Sequence, residues 1–226
     1  MSTASTVKNE LQKCIDRINI YTEGQSSTLT EAVNQLIGFT EIEYVESTGT
    51  QYINTGILSA LDLKIECEYS TTTLTKALFG ARTSSSADDF IFGYFHNNMM
   101  YFASYGGESS DVTGNILNYD GNKHKVIMSN DTFTIDGIDQ PVGRGELNNS
   151  YNIYLFTWNN KGTADSRKFV GKIYSFKIYK ANNLIQYLIP AKDENNVICF
   201  YDLVSKSFFY NIGTGAFLYT QEGGDE

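Results

Sequence analysis

Two glutamates separated by one residue are the closest approach of this sequence to a catalytic pair. Glu66 and Glu68 lie in the stretch ECEYS. If this stretch is a β-strand, alternate side chains share one face, and the two carboxyl groups stand at roughly the 5–9 Å separation that glycoside hydrolysis needs. A solvated face of a sheet explains the same two residues without any chemistry, and we favour that interpretation.

The histidine and cysteine patterns support neither nucleophilic hydrolysis nor a zinc site. The chain has two histidines, His96 and His124, and no Gly-x-Ser-x-Gly motif. Its three cysteines, Cys14, Cys67 and Cys199, are widely spaced and form no Cys-x-x-Cys or Cys/His cluster. We therefore expect no enzyme of these classes and no disulfide framework.

Two polar turns beside aromatic residues are candidate ligand-binding sites. An aromatic ring can stack on the apolar face of a sugar while amide groups hydrogen-bond its hydroxyls. The candidate residues are Trp158, Asn159 and Asn160 in one loop, and Tyr94, His96 and Asn97 in the other. Trp158 is the single tryptophan, and packing in the core is the alternative role that its residue type favours.

The charge of the chain bounds its partners. Its 226 residues include 17 Lys and Arg against 26 Asp and Glu, a net charge of -9. This charge repels nucleic acid and anionic membranes at long range, so we expect neither as a partner. The N-terminus lacks the apolar region of a signal peptide, and no apolar run approaches the ~20 residues of a membrane span. We expect synthesis in the cytoplasm, without membrane insertion.

Residues 1–39 follow a helical period. Two amphipathic stretches are separated by a break at Gly24, and Thr28 with Glu31 forms a capping box for the second. The apolar positions are Val7, Leu11, Ile15 and Ile18 in the first stretch and Leu29, Val33 and Leu36 in the second. Helices this short cannot bury such faces alone. We predict an α-helical docking or oligomerisation segment, with an intramolecular helical hairpin as the alternative.

Residues 40–226 follow a period of two. In Leu63–Ser70, apolar residues alternate with polar ones, and similar short stretches recur between turns rich in Gly, Asn, Asp and Ser. Hairpin turns are predicted at 96–98 and 129–131. No helical pattern separates the strands, so we predict one mainly-β sandwich of antiparallel sheets.

Two stretches rich in Gly and Thr are predicted to be structural. In Glu43–Ile57 we predict a turn at 47–50 and then a strand that starts at Tyr52 and ends at the turn residues 54–56. In Tyr201–Phe217, Asp202 and Ser205 are predicted to cap one turn and the glycines to permit another. We expect neither stretch to be the ligand site.

The order of these stretches resembles the LamG-like, concanavalin A-like lectin/glucanase domains that are common in bacteriophage virion proteins and in prophages of gut bacteria. The resemblance covers most of residues 41–219. It is carried by EYVESTGTQYINTGI, ALFGAR, KHKVIMSNDTFTIDG, NIYLFTWN and the long stretch from GKIYSFKIYK to GTGAF. It implies a jelly-roll sandwich of two antiparallel sheets, preceded here by the short helical segment.

The resemblance also implies a function. We expect a non-enzymatic virion protein, of the tail-fibre or decoration type, that displays the sandwich for adhesion to host-surface glycans or proteins. Its N-terminal helices would anchor it to other virion proteins as a homo-oligomer. A decoration or adaptor protein that binds no sugar is one alternative, and a glycan-cleaving enzyme is another. Glucanases of this class carry Glu-x-Asp-x-(x)-Glu on one strand, and the stretch from Glu66 lacks the central Asp and the last Glu.

Calcium is the one cofactor that the resemblance raises, because many lectin-like sandwiches bind it. A calcium site needs six to eight oxygen ligands that converge on one point. The candidate ligands are Asp88, Asp89 and Asp111. Solvated loop carboxylates are the alternative, and no other cofactor is expected.

Overall fold

The computed structural model describes residues 12–13, 15–16, 38–73, 77–83, 90–96, 99–102, 110–111, 119–129, 132–139, 147 and 150–220. Within these ranges the chain forms short strands that follow one another along the sequence. The strands are β1 Phe39–Glu41, β2 Val45–Thr48, β3 Ile53–Leu58, β4 Leu63–Ser70, β5 Ala77–Arg82, β6 Phe90–His96, β7 Met99–Phe102, β8 Ser110–Asp111, β9 His124–Met128, β10 Phe133–Ile135, β11 Ile138–Asp139, β12 Asn152–Leu155, β13 Asn159–Asn160, β14 Thr163–Ala164, β15 Val170–Lys180, β16 Asn183–Asp193, β17 Ile198–Asp202 and β18 Phe208–Phe209.

The strands form two sheets. The first has the order β11-β10-β9-β4-β15-β16-β17-β18, with β1 paired to β16 and β2 paired to β15. The second has the order β14-β13-β5-β6-β7-β8, and β12 pairs with both β3 and β5. Among the described strands the pairing is antiparallel except between β13 and β5, which run parallel. The prediction of a mainly-β chain with antiparallel sheets is confirmed.

The core lies between the two sheets. The alternation along β4 buries Leu63, Ile65 and Cys67 on one face. Phe79 of the second sheet contacts Phe176 of the first with ring centroids 5.4 Å apart. Burial of each such side chain contributes about 1.5–3 kcal/mol relative to exposure. The two sheets therefore form a sandwich around one large apolar core.

Both predicted hairpins are present. Strands β6 and β7 pair with Tyr94 opposite Tyr101, and β9 pairs with β10 with Met128 opposite Phe133. Ser129 N donates to Thr132 O at 2.7 Å and closes the second turn. The connecting residues 97–98 and 130–131 lie outside the described residues.

One predicted strand boundary is wrong. Residues 54–56 were expected to form a turn that ends the strand, but β3 continues through them to Leu58. Gly56 has a φ of +75°. The register of β3 with β12 shifts between Asn152 and Tyr154. Gly56 therefore lies in a β-bulge, which bends a strand without ending it.

The predicted N-terminal helices are described at four positions only. Residues 12–13 and 15–16 have helical backbone geometry, and Gln12 Nε2 donates to Asp16 Oδ1 at 3.0 Å. Ile15 is buried. The other predicted apolar positions, Val7, Leu11, Ile18, Leu29, Val33 and Leu36, lie outside the described residues. The helical segment and its boundary at residue 39 stay predictions. No helix in the described ranges is long and apolar enough to cross a membrane.

Candidate ligand-binding cleft

A cleft of about 380 Å³ opens where three separate stretches of the chain meet. Its lining residues are Gly49, Thr50, Tyr52, Thr163, Ala164, Lys168, Ile212, Gly213 and Thr214. The volume lies near the lower end of the range of small-molecule sites, about 300–1,000 Å³. The two stretches rich in Gly and Thr, for which only a structural role was expected, together form one wall.

Backbone hydrogen bonds join the two halves of that wall. Ile212 N donates to Tyr52 O at 3.0 Å, and Thr214 N donates to Thr50 O at 3.2 Å. The Thr50 hydroxyl returns a bond to Thr214 O at 2.9 Å. Gly213 lies between these bonds, and a Cβ there would stand 2.1 Å from Thr50 O. Only glycine permits this close approach of the two segments.

The side chain of Gln51 forms hydrogen bonds to both of these segments. Gln51 is 2% exposed. Its Oε1 accepts from Thr48 N at 2.9 Å and from the Ser47 hydroxyl at 3.0 Å, and its Nε2 donates to Ala216 O at 2.8 Å. Because a buried amide is costly unless it is hydrogen-bonded, these bonds fix the turn at 47–50 against the C-terminal stretch.

The cleft presents an aromatic ring beside a cation. Tyr52 is half-buried, and its ring centroid lies 5.3 Å from that of Tyr154 at an interplanar angle of 31°. Burial raises the pKa of Tyr154, and the neighbouring Tyr52 raises it further. Lys168 Nζ lies over the Tyr52 ring, 5.8 Å from its centroid, and donates to Asp165 O at 3.2 Å.

The chemistry that this lining supports is binding. Thr50, Thr163 and Thr214 line the cleft around Tyr52 and Lys168. The Thr50 hydroxyl donates to Thr214 O and can still accept a hydrogen bond. An aromatic ring, threonine side chains and one ammonium are components of a recognition site.

Tyr52 and Lys168 were not among the residues that the sequence pointed to. Tyr52 falls between the buried residues Gln51 and Ile53, so the period-two pattern predicts that its ring is more exposed than its neighbours, and the ring packs at the edge of the core. That signal was present in the sequence. Lys168 gives no comparable signal, because its position depends on a contact between distant segments.

The predicted candidate Trp158 lies inside the protein. It is 2% exposed, and the guanidinium carbons of Arg167 and Arg82 lie 4.4 Å and 5.2 Å from its ring. Arg167 also forms a bidentate ion pair with Asp165, at 2.9 Å and 3.2 Å. Although burial alone would raise it, the hydrogen bonds and the charge of Arg167 lower the pKa of Asp165. This environment favours the packing role.

The neighbouring amides shape the hairpin of β13 and β14. Asn159 is 3% exposed; its side chain donates to Asn152 O at 3.0 Å and accepts from Gly162 N at 2.7 Å. Asn160 is half-buried on β13. The hairpin carries Thr163 into the cleft, so the predicted loop contributes to the cleft through residues beyond the three expected ones. Ligand contact by Trp158, Asn159 and Asn160 stays a prediction.

The second predicted loop and the calcium candidates are untested. Tyr94 and His96 lie on β6, and Asn97 lies outside the described residues. For calcium, Asp88 and Asp89 lie outside them too, and Asp111 ends β8. In the ranges that the structure describes, no three His, Cys, Asp or Glu side chains are grouped so that they could hold a metal ion.

The glutamates on β4 are ion-paired. Glu66 contacts Lys64 Nζ at 2.9 Å and Lys125 Nζ at 3.2 Å, and Glu68 contacts Lys123 Nζ at 2.9 Å. Although partial burial alone would raise it, the hydrogen bonds from the two lysines lower the pKa of Glu66. A general acid in glycoside hydrolysis needs a raised pKa. The geometry favours the interpretation of a charged, solvated sheet face.

His124 is held between two carboxylates. Its Nδ1 lies 2.7 Å from Asp136 Oδ2, and its Nε2 lies 3.0 Å from Asp120 Oδ1. Although burial alone would lower it, both carboxylates raise the pKa of His124. The bond to His124 lowers the pKa of Asp120 to about 2. The cluster joins the turn after β10 to the loop before β9, and we assign it to stability.

Comparison with known proteins shows the fold. The sequence matches no family model and no curated protein. Among solved structures, a candidate carbohydrate-binding protein from Bacteroides ovatus superposes over 76% of this chain with a TM-score of 0.52 and 11% identity. The CBM40 of the Ruminococcus gnavus IT-sialidase (64% of this chain and 92% of its own, TM-score 0.46, 15% identity) and domains LG4-5 of the mouse laminin α1 chain (73% and 48%, 0.45, 14%) also match. The chain spans 59% of the length of the Bacteroides protein. At this identity, the match to that protein shows a shared β-sandwich fold.

Proposed function

We propose that this protein is a non-enzymatic, lectin-like glycan-binding protein that holds a sugar in the cleft over Tyr52. The observation that carries the proposal is the composition of the cleft: a half-buried aromatic ring, three threonines and one ammonium, with no carboxylate, histidine or cysteine in the lining. A pyranose presents an apolar face to such a ring and hydroxyls to the rim. The small volume fits one or two sugar units of a longer glycan.

The central test is a pair of tyrosine variants assayed on a glycan array. Tyr52→Ala removes the ring, and we expect at least tenfold weaker binding, equivalent to about 1.4 kcal/mol. Tyr210→Ala is the matched control, because Tyr210 is 42% exposed and lies outside the cleft lining. Equal binding by both variants, with unchanged melting temperatures, would remove the cleft from the proposal.

We further propose that the sandwich is displayed on a bacteriophage virion, where residues 1–39 anchor it to other virion proteins as a homo-oligomer. The resemblance of the sequence stretches to virion lectin-like domains supports this role. A site of this size binds weakly, and many copies on one particle would raise the overall avidity. A particle map with the cleft buried against other virion proteins would favour the adaptor alternative.

Deletion of residues 1–38 tests the anchoring. The truncation stops before β1, which begins at Phe39 and pairs with β16. We expect the truncated protein to fold, to sediment as a monomer and to be absent from particles. Incorporation into particles with an unchanged oligomeric state would contradict the role assigned to Val7, Leu11, Ile15, Ile18, Leu29, Val33 and Leu36.

A further inference from the structure

We infer that the cleft selects a carboxylated sugar, such as a hexuronic acid unit, and that Lys168 determines this specificity. The inference rests on the proposed glycan-binding function and names the class of ligand for the same site. Lys168 is the one charged side chain in the cleft lining.

The charge of Lys168 has no carboxylate partner among the described residues. The nearest acidic group along the chain, Asp165, directs both carboxylate oxygens at Arg167, at 2.9 Å and 3.2 Å. Lys168 instead donates to the backbone carbonyl of Asp165 at 3.2 Å. Because an ammonium has three donors, two remain for a ligand. The cleft therefore has an excess positive charge, although the whole chain carries -9.

The position of the ammonium fits a carboxylate on a sugar that contacts Tyr52. The Lys168 nitrogen lies over the Tyr52 ring, 5.8 Å from its centroid, and donates to Asp165 O. Thr50, Thr163 and Thr214 line the rest of the cleft and carry no charge. A carboxylate on a sugar at the exposed part of Tyr52 can reach Lys168 while the sugar hydroxyls lie near the threonines.

Desolvation makes this contact selective. A neutral sugar would displace hydration water from the Lys168 ammonium without supplying an opposite charge. A carboxylate would displace the same water and accept a charge-assisted hydrogen bond from the ammonium. Such a bond contributes more than a neutral one, enough for a preference on the order of tenfold or greater. The negative net charge of the chain opposes acidic glycans at long range, so the preference must arise from this local contact.

The experiment uses a glycan array printed with matched pairs: oligouronates of several linkages, and the same oligomers with every carboxyl group methyl-esterified. Esterification removes the charge and preserves the ring and its hydroxyls. The full-length protein is compared with Lys168→Gln, Lys168→Arg, and Lys161→Gln. Lys161 is exposed at the turn between β13 and β14 and outside the lining, so it controls for net charge. The tightest pair is then titrated by calorimetry.

We expect at least tenfold tighter binding of the acid than of the ester. Lys168→Gln should weaken binding of the acid more than that of the ester and so remove the preference, Lys168→Arg should restore part of it, and Lys161→Gln should alter neither the preference nor the binding of the ester. Equal binding of acid and ester, or a preference that survives Lys168→Gln, would overturn the inference and leave glycan binding intact. Binding to no glycan on the array by folded protein would overturn the proposed function itself, and the inference with it.

Discussion

Replacement of Gly213 by alanine tests whether the cleft wall depends on the contact between the two segments rich in Gly and Thr. The new Cβ would lie 2.1 Å from Thr50 O, 3.0 Å from Tyr52 Cδ1 and 3.1 Å from Gln51 Cα. Two of these atoms belong to the backbone, so no side-chain rotation can relieve the overlap. The two segments must separate.

The expected cost follows from the contacts that would be lost. Overpacking of a close contact costs about 1–3 kcal/mol. The bonds from Ile212 N to Tyr52 O and from Thr214 N to Thr50 O would lengthen, at about 0.5–1.5 kcal/mol each. The sum is about 2–6 kcal/mol, which corresponds to a fall in Tm of roughly 4–24 °C for a domain of this size. Glycan binding should weaken with it, because Gly213 lines the cleft.

Thermal unfolding and glycan binding of Gly213→Ala should be compared with those of Gly137→Ala. Gly137 has a φ of +79°, and a Cβ added there would have no atom within 4 Å. The expected cost of alanine at this position is therefore only that of the left-handed backbone conformation, about 1–2 kcal/mol. We expect the second variant to keep full glycan binding. The reasoning would be refuted if Gly213→Ala were no less stable than Gly137→Ala.

Four further predictions concern hydrogen-bonded polar side chains. Gln51→Ala should lower Tm and weaken glycan binding together, because several backbone and hydroxyl groups lose their hydrogen-bond partner. An unchanged Tm with unchanged glycan binding would contradict the role of Gln51. The wild type should be more stable than His124→Gln, and the difference should be largest below pH 6.5, because protonated His124 forms its strongest bonds to Asp120 and Asp136. The difference should disappear as the pH rises through the raised pKa of His124. Measurement of Tm for both proteins from pH 5 to pH 9 checks this. The Asp120 contribution should be lost as the pH falls from 3.8 toward its folded pKa of about 2. Asp202→Ala should destabilise the protein by about 2 kcal/mol or more without a change in affinity, because its buried carboxylate accepts from Tyr187 N, Val204 N and the Ser205 hydroxyl outside the cleft, and a denaturant titration measures it.

The sequence predicted the sandwich well where local signals were complete. Leu63–Ser70 combines strict alternation with flanking turn residues, and β4 has the same bounds. Asp202 and Ser205 cap the turn after β17 as expected, because side-chain capping depends only on neighbouring residues. The bulge at Gly56 was missed since a glycine in a strand can bend it or end it, and the partner strand decides between these outcomes.

The position of the cleft could not be predicted from the sequence, because it depends on contacts between distant segments. It requires Tyr52, Lys168 and Thr214 to meet, and no local pattern fixes contacts over such separations. Trp158 became a candidate because polar residues follow it in the sequence. The two arginines that flank its ring are Arg82, at the end of β5, and Arg167, which follows the hairpin of β13 and β14. The residues next to Trp158 do not predict either contact. Residue type drew attention to the loop next to the cleft and could not identify which of its residues line the cleft.

The bond between Gln51 and Ala216 joins residues 165 positions apart, so this part of the cleft wall forms only after both residues have been synthesised. A nascent chain that has reached β17 already contains Tyr52 and Lys168, but the wall formed by residues 212–214 has not yet been made. A chain truncated after β17 would therefore lack one wall of the cleft, although it would contain Tyr52 and Lys168.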